Sequence, residues 1–414
     1  MALTAYSEGH SVLVSRGRGD VERILVMRGV RGFVDGLVSV LLAGYLMRLG
    51  FTPLQVGAIV TGTMLGSAGL TILLGLASHR LDPRRVLLGA SMLMLLTGLG
   101  FASISWFWPL FLVAVLGTLN PSVGDVSIFL PTEQAVLAQD VSGSARTSVF
   151  ARYNVAGTLA GGLGALAGGV PALLARRGGV PIGEAERSAF LLYAAAGLLT
   201  AFVYRRLALA SYPRPARETR PLSRSRGIVL RLSALFGLDA FGGGFVVQSL
   251  LVLWLSNRFQ LSVEATGTFF FVAGLAGALS QFVAPRLAAR IGLIPTMVYT
   301  HLPANICLVI AGVVPSAPVA IGFLLVRALL SQMDVPVRQA YVMAVVPPHE
   351  RAAAASVTNV PRSLAAALPP LLTGAMLAHS SFGWPLVCGG VLKALYDVLL
   401  LLRFRTVGPP VDVG

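Results

Sequence analysis

The sequence predicts an all-α membrane protein. Twelve transmembrane helices form two six-helix bundles related by a pseudo-two-fold axis, with both termini cytoplasmic. Three observations predict it. Of the 414 residues, 55% are hydrophobic and only 12% charged, with a mean hydropathy of +0.79. A chain that must cover a water-facing surface with polar groups cannot have this composition. Apolar runs of about 20 residues, long enough to span a bilayer, recur along its whole length, and its second half repeats its first.

The first set of runs occupies 24–47, 54–77, 86–103, 107–130, 148–173 and 188–208, and the second 228–256, 263–284, 294–314, 317–340, 352–378 and 384–403. Between the sets lies "RRLALASYPRPARETRPLSRSRG", Arg205 to Gly227, the one long polar and proline-bearing stretch. It reads as a linker. The expected division is therefore a bundle over 1–208, a cytoplasmic linker over 209–226 and a second bundle over 227–414. The first 23 residues hold no continuous apolar core, so no cleavable signal peptide is expected and the first run stays as the first span.

A net charge of +15 raises the question of nucleic acid, but the basic residues sit in short loops between apolar runs, so no nucleic-acid partner is expected. Their distribution sets the orientation instead. With the N-terminus inside, the inner segments carry Arg16, Arg18 and Arg23, then Arg80, Arg84 and Arg85, then the cluster from Arg205 to Arg226. The outer loops carry Arg48, Arg176, Arg177, Arg187 and Arg258. This bias places the loops richer in arginine in the cytoplasm. Trp106, Trp108, Trp254 and Trp384 then fall at the outer interface, as an aromatic belt does. Lys393 is the one lysine, and such an Arg-, Ala- and Gly-rich chain points to a GC-rich bacterial genome and so to a bacterial inner membrane.

The repeat is read without a gap. "QAVLAQDVSGSARTSVFARYNVAGTLA" lies on "QAYVMAVVPPHERAAAASVTNVPRSLA", so that Gln134, Arg146, Asn154 and Leu159 meet Gln339, Arg351, Asn359 and Leu364, each 205 positions on. Asp35 in the first run finds Asp239 in the seventh. Repeated halves are a common architecture of membrane transporters.

Twelve spans, a central cytoplasmic linker, both ends inside and a six-plus-six parallel repeat resemble the major facilitator superfamily over nearly the whole chain. That family carries G-x-x-x-D-R-x-G-R-R/K between spans two and three. The matching loop here is "GLASHRLDPRR": Gly75, Arg80 and Arg84 fit, while His79, Asp82 and Pro83 depart. The second half keeps Arg290 and Gly292 in "PRLAARIGL". Span five of the family's antiporters carries g-x-x-x-G-P-x-x-G-G. This chain reads "AGGLGALAGG", Ala160 to Gly169, with Ala165 at the proline position. The stretch resembles that exporter motif, and it equally fits the small residues that let membrane helices approach closely.

Charges inside the spans carry the chemistry, because an ionised group there is expensive unless it faces water or a partner. Arg28, Arg31 and Asp35, at i, i+3 and i+7, share one helical face. Asp35 lies about 18 Å in from Arg23 on the helical rise, and Asp239, Arg327 and Arg362 also come out near mid-membrane. The resemblance implies that spans one, four, seven and ten line a central cavity. Asp35 and Asp239 are thus the expected proton-coupling residues, and Arg31, Arg327, Arg362, Asn154, Asn359 and Gln248 the expected substrate contacts. A structural or gating pair between Arg31 and Asp35 stays open beside this. Arg80, Asp125, Glu133, Arg146, Asp334, Arg338 and Arg351 are expected to form a cytoplasmic gate, or else to be solvated. Lys393 and Asp397, at i, i+4, are expected to neutralise each other. His301 and His379 are expected near the outer surface without a special role. Cys307 and Cys388 read as small hydrophobes.

No C-x-x-C, H-E-x-x-H, Walker-type loop or G-x-S-x-G occurs, so no enzyme is expected. The expected function is a monomeric secondary transporter in the lipid bilayer, with no cofactor and the proton gradient as its driving force. Its partners are protons and a small organic solute. Arginines at the site point to an anion, since their planar fork suits carboxylate or phosphate. Proton-coupled efflux is the leading reading. Uptake by symport, a uniporter and a multidrug/proton antiporter are the alternatives.

Overall fold

The computed structural model describes residues 2–77, 81–121, 127–140, 144–207, 222–223, 225–347 and 350–405, and their side chains except at 2–18, 76, 138–140, 144–148 and 352. Among these residues every regular element is helical. The first half contains α1 (Ala2–Arg48), α2 (Pro53–Ala77), α3 (Pro83–Ser103), α4 (Phe107–Leu116), α5 (Phe129–Asp140), α6 (Ser144–Ala167), α7 (Val170–Gly178) and α8 (Ile182–Tyr204). The second contains α9 (Arg226–Gly244), α10 (Gln248–Phe259), α11 (Val263–Ile291), α12 (Leu293–Val313), α13 (Ala317–Ser331), α14 (Asp334–Val345), α15 (Arg351–Ala367), α16 (Pro369–His379) and α17 (Trp384–Phe404).

Local sequence explains several boundaries. Asp82 caps α3 by accepting from the Arg84 amide at 2.9 Å, with Pro83 in the first turn, the position where a missing N–H costs nothing. The departures from the family loop motif at Asp82 and Pro83 are thus a helix start. The loop residues His79 and Arg80 lie outside the described residues, as does most of the 209–226 linker. Gly179 and Gly292 end their segments at φ 64° and 90°, where a side chain is strained.

Ten stretches are long and apolar enough to cross a bilayer among the described residues, where twelve were expected. The expected run 107–130 gives a ten-residue apolar helix, α4, and resumes as α5. The run 352–378 is α15, which carries Arg351, Thr358, Asn359 and Arg362, followed by a break at Leu368 and α16. Polar residues and helix breaks inside these two runs keep them below the apolar length of a plain span. Many leucines point outward, Leu402 at 74% exposure and Leu73 at 62%, as lipid-facing residues do. Trp106, Trp108 and Trp384 are exposed, but Trp254 is 1% exposed. Trp254 does not face the outside as the expected belt requires, because Ser249–Leu255 of α10 is buried on every face.

Helix pairings of the first half recur in the second in the same order. α1 packs on α6, as α9 packs on α15; α3 packs on α8, as α12 packs on α17; α2 packs on α4, as α11 packs on α13. Across the middle, α2 meets α15 and α16, α6 meets α11, and α1 meets α10.

Glycines set the closest approaches. A Cβ on Gly36 of α1 would strike the Gly161 carbonyl of α6, and one on Gly164 would strike Phe33 and Leu37 of α1. Gly162 lies against Phe271, and Gly169 against Glu264. The glycines of "AGGLGALAGG" are therefore accounted for by helix contacts, and they carry no separate information about transport direction.

The halves meet closely along one seam. There the Ser249 amide donates to the Pro121 carbonyl at 3.2 Å, and Arg176 pairs with Glu264. A Cβ on Gly57 would lie 2.5 Å from the Pro370 carbonyl and 3.0 Å from Gly374 Cα. Overpacking such a contact typically costs ~1–3 kcal/mol. Gly57→Leu is therefore expected to lower the thermal midpoint of the detergent-solubilised protein by several degrees. An unchanged midpoint would mean that α2 and α16 do not meet at this register.

Candidate functional site

Inside the first half, one carboxylate organises the buried charge. Arg31 of α1 lies 2.6 Å from Glu133 of α5 and donates to the Tyr204 hydroxyl at 2.7 Å. Tyr153 donates to Glu133 at 2.6 Å, and Tyr204 donates to it as well. The Arg31 guanidinium also lies over the Phe129 ring, 4.1 Å from its centre. Arg31 is 2% exposed and Glu133 0%. The partner of Arg31 is therefore Glu133 rather than Asp35. On one helix, i and i+4 are neighbours, but a carboxylate brought by α5 with two hydroxyls offers more bonds.

Asp35, one turn further on, is half-buried and makes no ion pair or hydrogen bond among the described residues. Arg28, Arg31 and Tyr193 lie within electrostatic reach of it. Arg28 is likewise half-buried, stacked 5.2 Å from the centre of the Tyr153 ring, and its Nε is buried without a hydrogen-bond partner. An available carboxylate and an available guanidinium thus stand on one face of α1.

The second half reverses the polarity. Asp239 of α9 receives Lys393 Nζ of α17 at 2.5 Å and Arg338 Nη1 of α14 at 3.2 Å. Arg338 also pairs with Asp334 at 3.0 Å and stacks over Phe236. Glu133 and Arg338 are repeat partners, 205 apart. The first span gives the arginine and the fourth the carboxylate in one half, and the seventh gives the carboxylate and the tenth the arginine in the other.

Two expectations are corrected here. Lys393 does not neutralise Asp397: its ammonium reaches Asp239 instead. His301 is not a surface residue: it is 3% exposed and bonds Asp397 at 2.9 Å. A helix carries i, i+4 groups on one face but cannot say which neighbouring helix claims them. His379, by contrast, is exposed and caps its own helix at the Ala375 carbonyl.

The remaining expected site residues scatter. Arg327 of α13 is half-buried, within electrostatic reach of Asp239, and its Nε is buried without a hydrogen-bond partner. Gln248 starts α10 beside the Pro121 contact, and its Nε2 is also buried and unbonded. Arg362 is half-buried on α15, while Asn154 and Asn359 are exposed on equivalent helices. Of the expected gate, Arg80 and Asp125 lie outside the described residues, as does the side chain of Arg146. Glu133, Asp334 and Arg338 are engaged inside their own halves, and Arg351 donates to carbonyls of Met343 and Val346. Cys307 and Cys388 are free and half-buried.

Sequence reading passed over Tyr153, Tyr204, Lys393, His301 and Asp397 as members of these clusters. The available signal was a polar residue facing inward on a span outside the expected lining. Arg28 was visible on the charged face of α1, and its open Nε makes it a site candidate.

The family model described as Major Facilitator Superfamily matches residues 24–333 and, overlapping it, 241–413. The uncharacterized membrane protein YJR124C of Saccharomyces cerevisiae is 25% identical over 408 residues, covering 89% of this chain and 90% of that protein. The multidrug efflux protein YfmO of Bacillus subtilis is 23% identical over 373 residues, covering 89% and 88%. Among solved structures, a bacterial homologue of the human lysosomal transporter Spinster, inward-facing and unoccupied, superposes with a TM-score of 0.72. It covers 94% of this chain and 97% of that one at 15% identity.

Proposed function

The chain belongs to the major facilitator superfamily, and on that premise we propose that it moves a small organic anion by proton-coupled alternating access, with Asp35 carrying the proton. It is a multi-pass membrane transporter and not an enzyme. The carrying observation is the pair of half-buried arginines, Arg28 and Arg327, whose Nε groups are buried without an acceptor. A buried guanidinium donor left open costs free energy, and an anion supplies the missing acceptor with charge-assisted bonds. The bundles over 1–208 and 227–414, joined by the 209–226 linker, serve as the two rocking bodies around this site. A bacterial inner membrane is the proposed location and a monomer the proposed state.

The sign of the coupling follows from charge. Asp35 and an incoming anion compete for Arg28, so the anion binds more readily once Asp35 carries a proton. Proton and anion then travel together. This favours uptake by symport under an inward proton gradient. Efflux, the leading expectation from sequence, is the second reading; what favours it is the 23% identity to a multidrug efflux protein.

The test is a thermal-shift and binding screen of the purified protein with mono- and dicarboxylates, organic phosphates and the cationic dye ethidium. Ligands that bind the folded state raise its apparent stability. Anions are expected to bind and ethidium is not. Arg28→Gln, Arg327→Gln and Arg362→Gln should each weaken anion binding at least tenfold, the scale of ~1.4 kcal/mol. Lysine replacements should recover only part of it, because they lose the fork. A preference for ethidium, or unchanged anion binding in all three variants, would send the reading to drug export.

A further inference from the structure

Deep in the second half, away from Asp35, His301 of α12 stands between two carboxylates. Its Nδ1 lies 2.9 Å from Asp397 Oδ1 and its Nε2 lies 3.8 Å from Asp239 Oδ1. Asn305, one turn along α12, donates to Asp397 Oδ2 at 2.8 Å. His301 is 3% exposed, Asp397 0% and Asp239 3%. Among the described residues Asp397 is met by no lysine or arginine; its partners are His301 and Asn305.

A neutral imidazole has one donor nitrogen and one acceptor nitrogen. With a carboxylate facing each, the neutral ring satisfies one side and sets a lone pair against the other. Only the imidazolium presents N–H to both. Without that proton Asp397 is a buried charge facing a neutral ring and an amide, a costly arrangement. We infer that His301 is a second proton-binding site, held between Asp397 and Asp239.

Besides Asn305, whose Nδ2 lies 3.1 Å from the ring's Nδ1, the groups around the ring are charged or titratable members of one network. α17 brings Asp397, Lys393 and Tyr396, the last with its ring centre 6.0 Å away. α9 brings Asp239, and α14 brings Arg338 and Asp334 through their contact with Asp239. α11 and α13 also pack on α12, but no ionisable group of theirs forms an ion pair with the ring among the described residues. With the proton bound, Asp239 has three cations around it: Lys393, Arg338 and His301. Once the proton leaves, two remain and both are held more firmly. Occupancy at His301 is thereby passed through Asp239 to Arg338 on α14, the continuation of the span that carries Arg327. This deepens the proton-coupled reading, and only its role in transport rests on that reading.

The test reads the proton directly. In the full chain, His10→Gln, His79→Gln, His349→Gln and His379→Gln together leave His301 as the only histidine. The protein is labelled with nitrogen-15 histidine and its ring nitrogens are observed by NMR in lipid nanodiscs at about pH 7. Both nitrogens are expected in the protonated form, with the signal giving way to neutral imidazole in Asp397→Asn. A neutral ring in the parent overturns the inference, as does an imidazolium unchanged by both Asp397→Asn and Asp239→Asn. If those variants do not fold, the parent spectrum decides alone. An imidazolium in a protein that shows no transport driven by a pH gradient would leave this site standing and remove the proton-coupled reading.

Discussion

Proteoliposomes containing Asp35→Asn are expected to build no substrate gradient from a pH gradient, while still exchanging labelled for unlabelled anion across the membrane. Asparagine imitates the protonated carboxylic acid in shape and charge but cannot release a proton. With Asp35 no longer competing for Arg28, the anion should bind at least as tightly as in the parent, and its binding should lose its dependence on pH. Folding should be intact, because Asp35 makes no ion pair or hydrogen bond among the described residues whose loss would leave a buried charge behind. The contrast between lost accumulation and kept exchange separates a coupling residue from a structural one. Asp35→Asn vesicles that still concentrate the anion from a pH gradient at the parent rate would show that the coupling proton sits elsewhere.

Much of the fold was legible because bilayer physics is coarse. Long apolar runs have one solution, the helix, since lipid offers no partner to a bare backbone. The repeat at Gln134 and Gln339 or Asn154 and Asn359 foreshadowed the recurring helix pairs. What sequence could not show was where helices break. Gly168 and Gly169, Leu368, and the non-helical residues 117–121 interrupt runs that read as continuous. Each break rotates or shifts the side chains beyond it, so a steady 1.5 Å rise does not show which neighbouring helix Glu133 and Arg338 face. Partner choice was the other blind spot. Arg31 and Lys393 each had a carboxylate at i+4, yet each was claimed by a carboxylate on another helix. A helical wheel contains only its own residues; the third dimension supplied Glu133 and Asp239.

Glu133→Ala is expected to be the most destabilising single substitution among the charged residues described here. Removing one member of a buried ion pair strands the other, which typically costs ~3–5 kcal/mol. Here Arg31, itself 2% exposed, would keep only the Tyr204 hydroxyl and the Phe129 ring, while Tyr153 and Tyr204 would lose their shared acceptor. Most of this penalty is the price of an unbalanced guanidinium, not the net worth of the pair. The double variant Arg31→Met with Glu133→Leu should therefore recover most of the loss, because apolar replacement of a buried pair is often neutral or stabilising by ~1–4 kcal/mol. Thermal midpoints of the two singles and the double in one detergent complete the cycle. A Glu133→Ala protein as stable as the parent would mean that water or lipid reaches Arg31 and that the pair is not buried. The double variant also settles what Arg31 is for. If it regains stability and binds the anion as the parent does, Arg31 is the anchor between α1 and α5, and the charged face of α1 serves substrate through Arg28 and Asp35 alone. If it regains stability and loses the anion, Arg31 is the substrate contact that its place on that face first suggested, and Glu133 is the group that holds it in position.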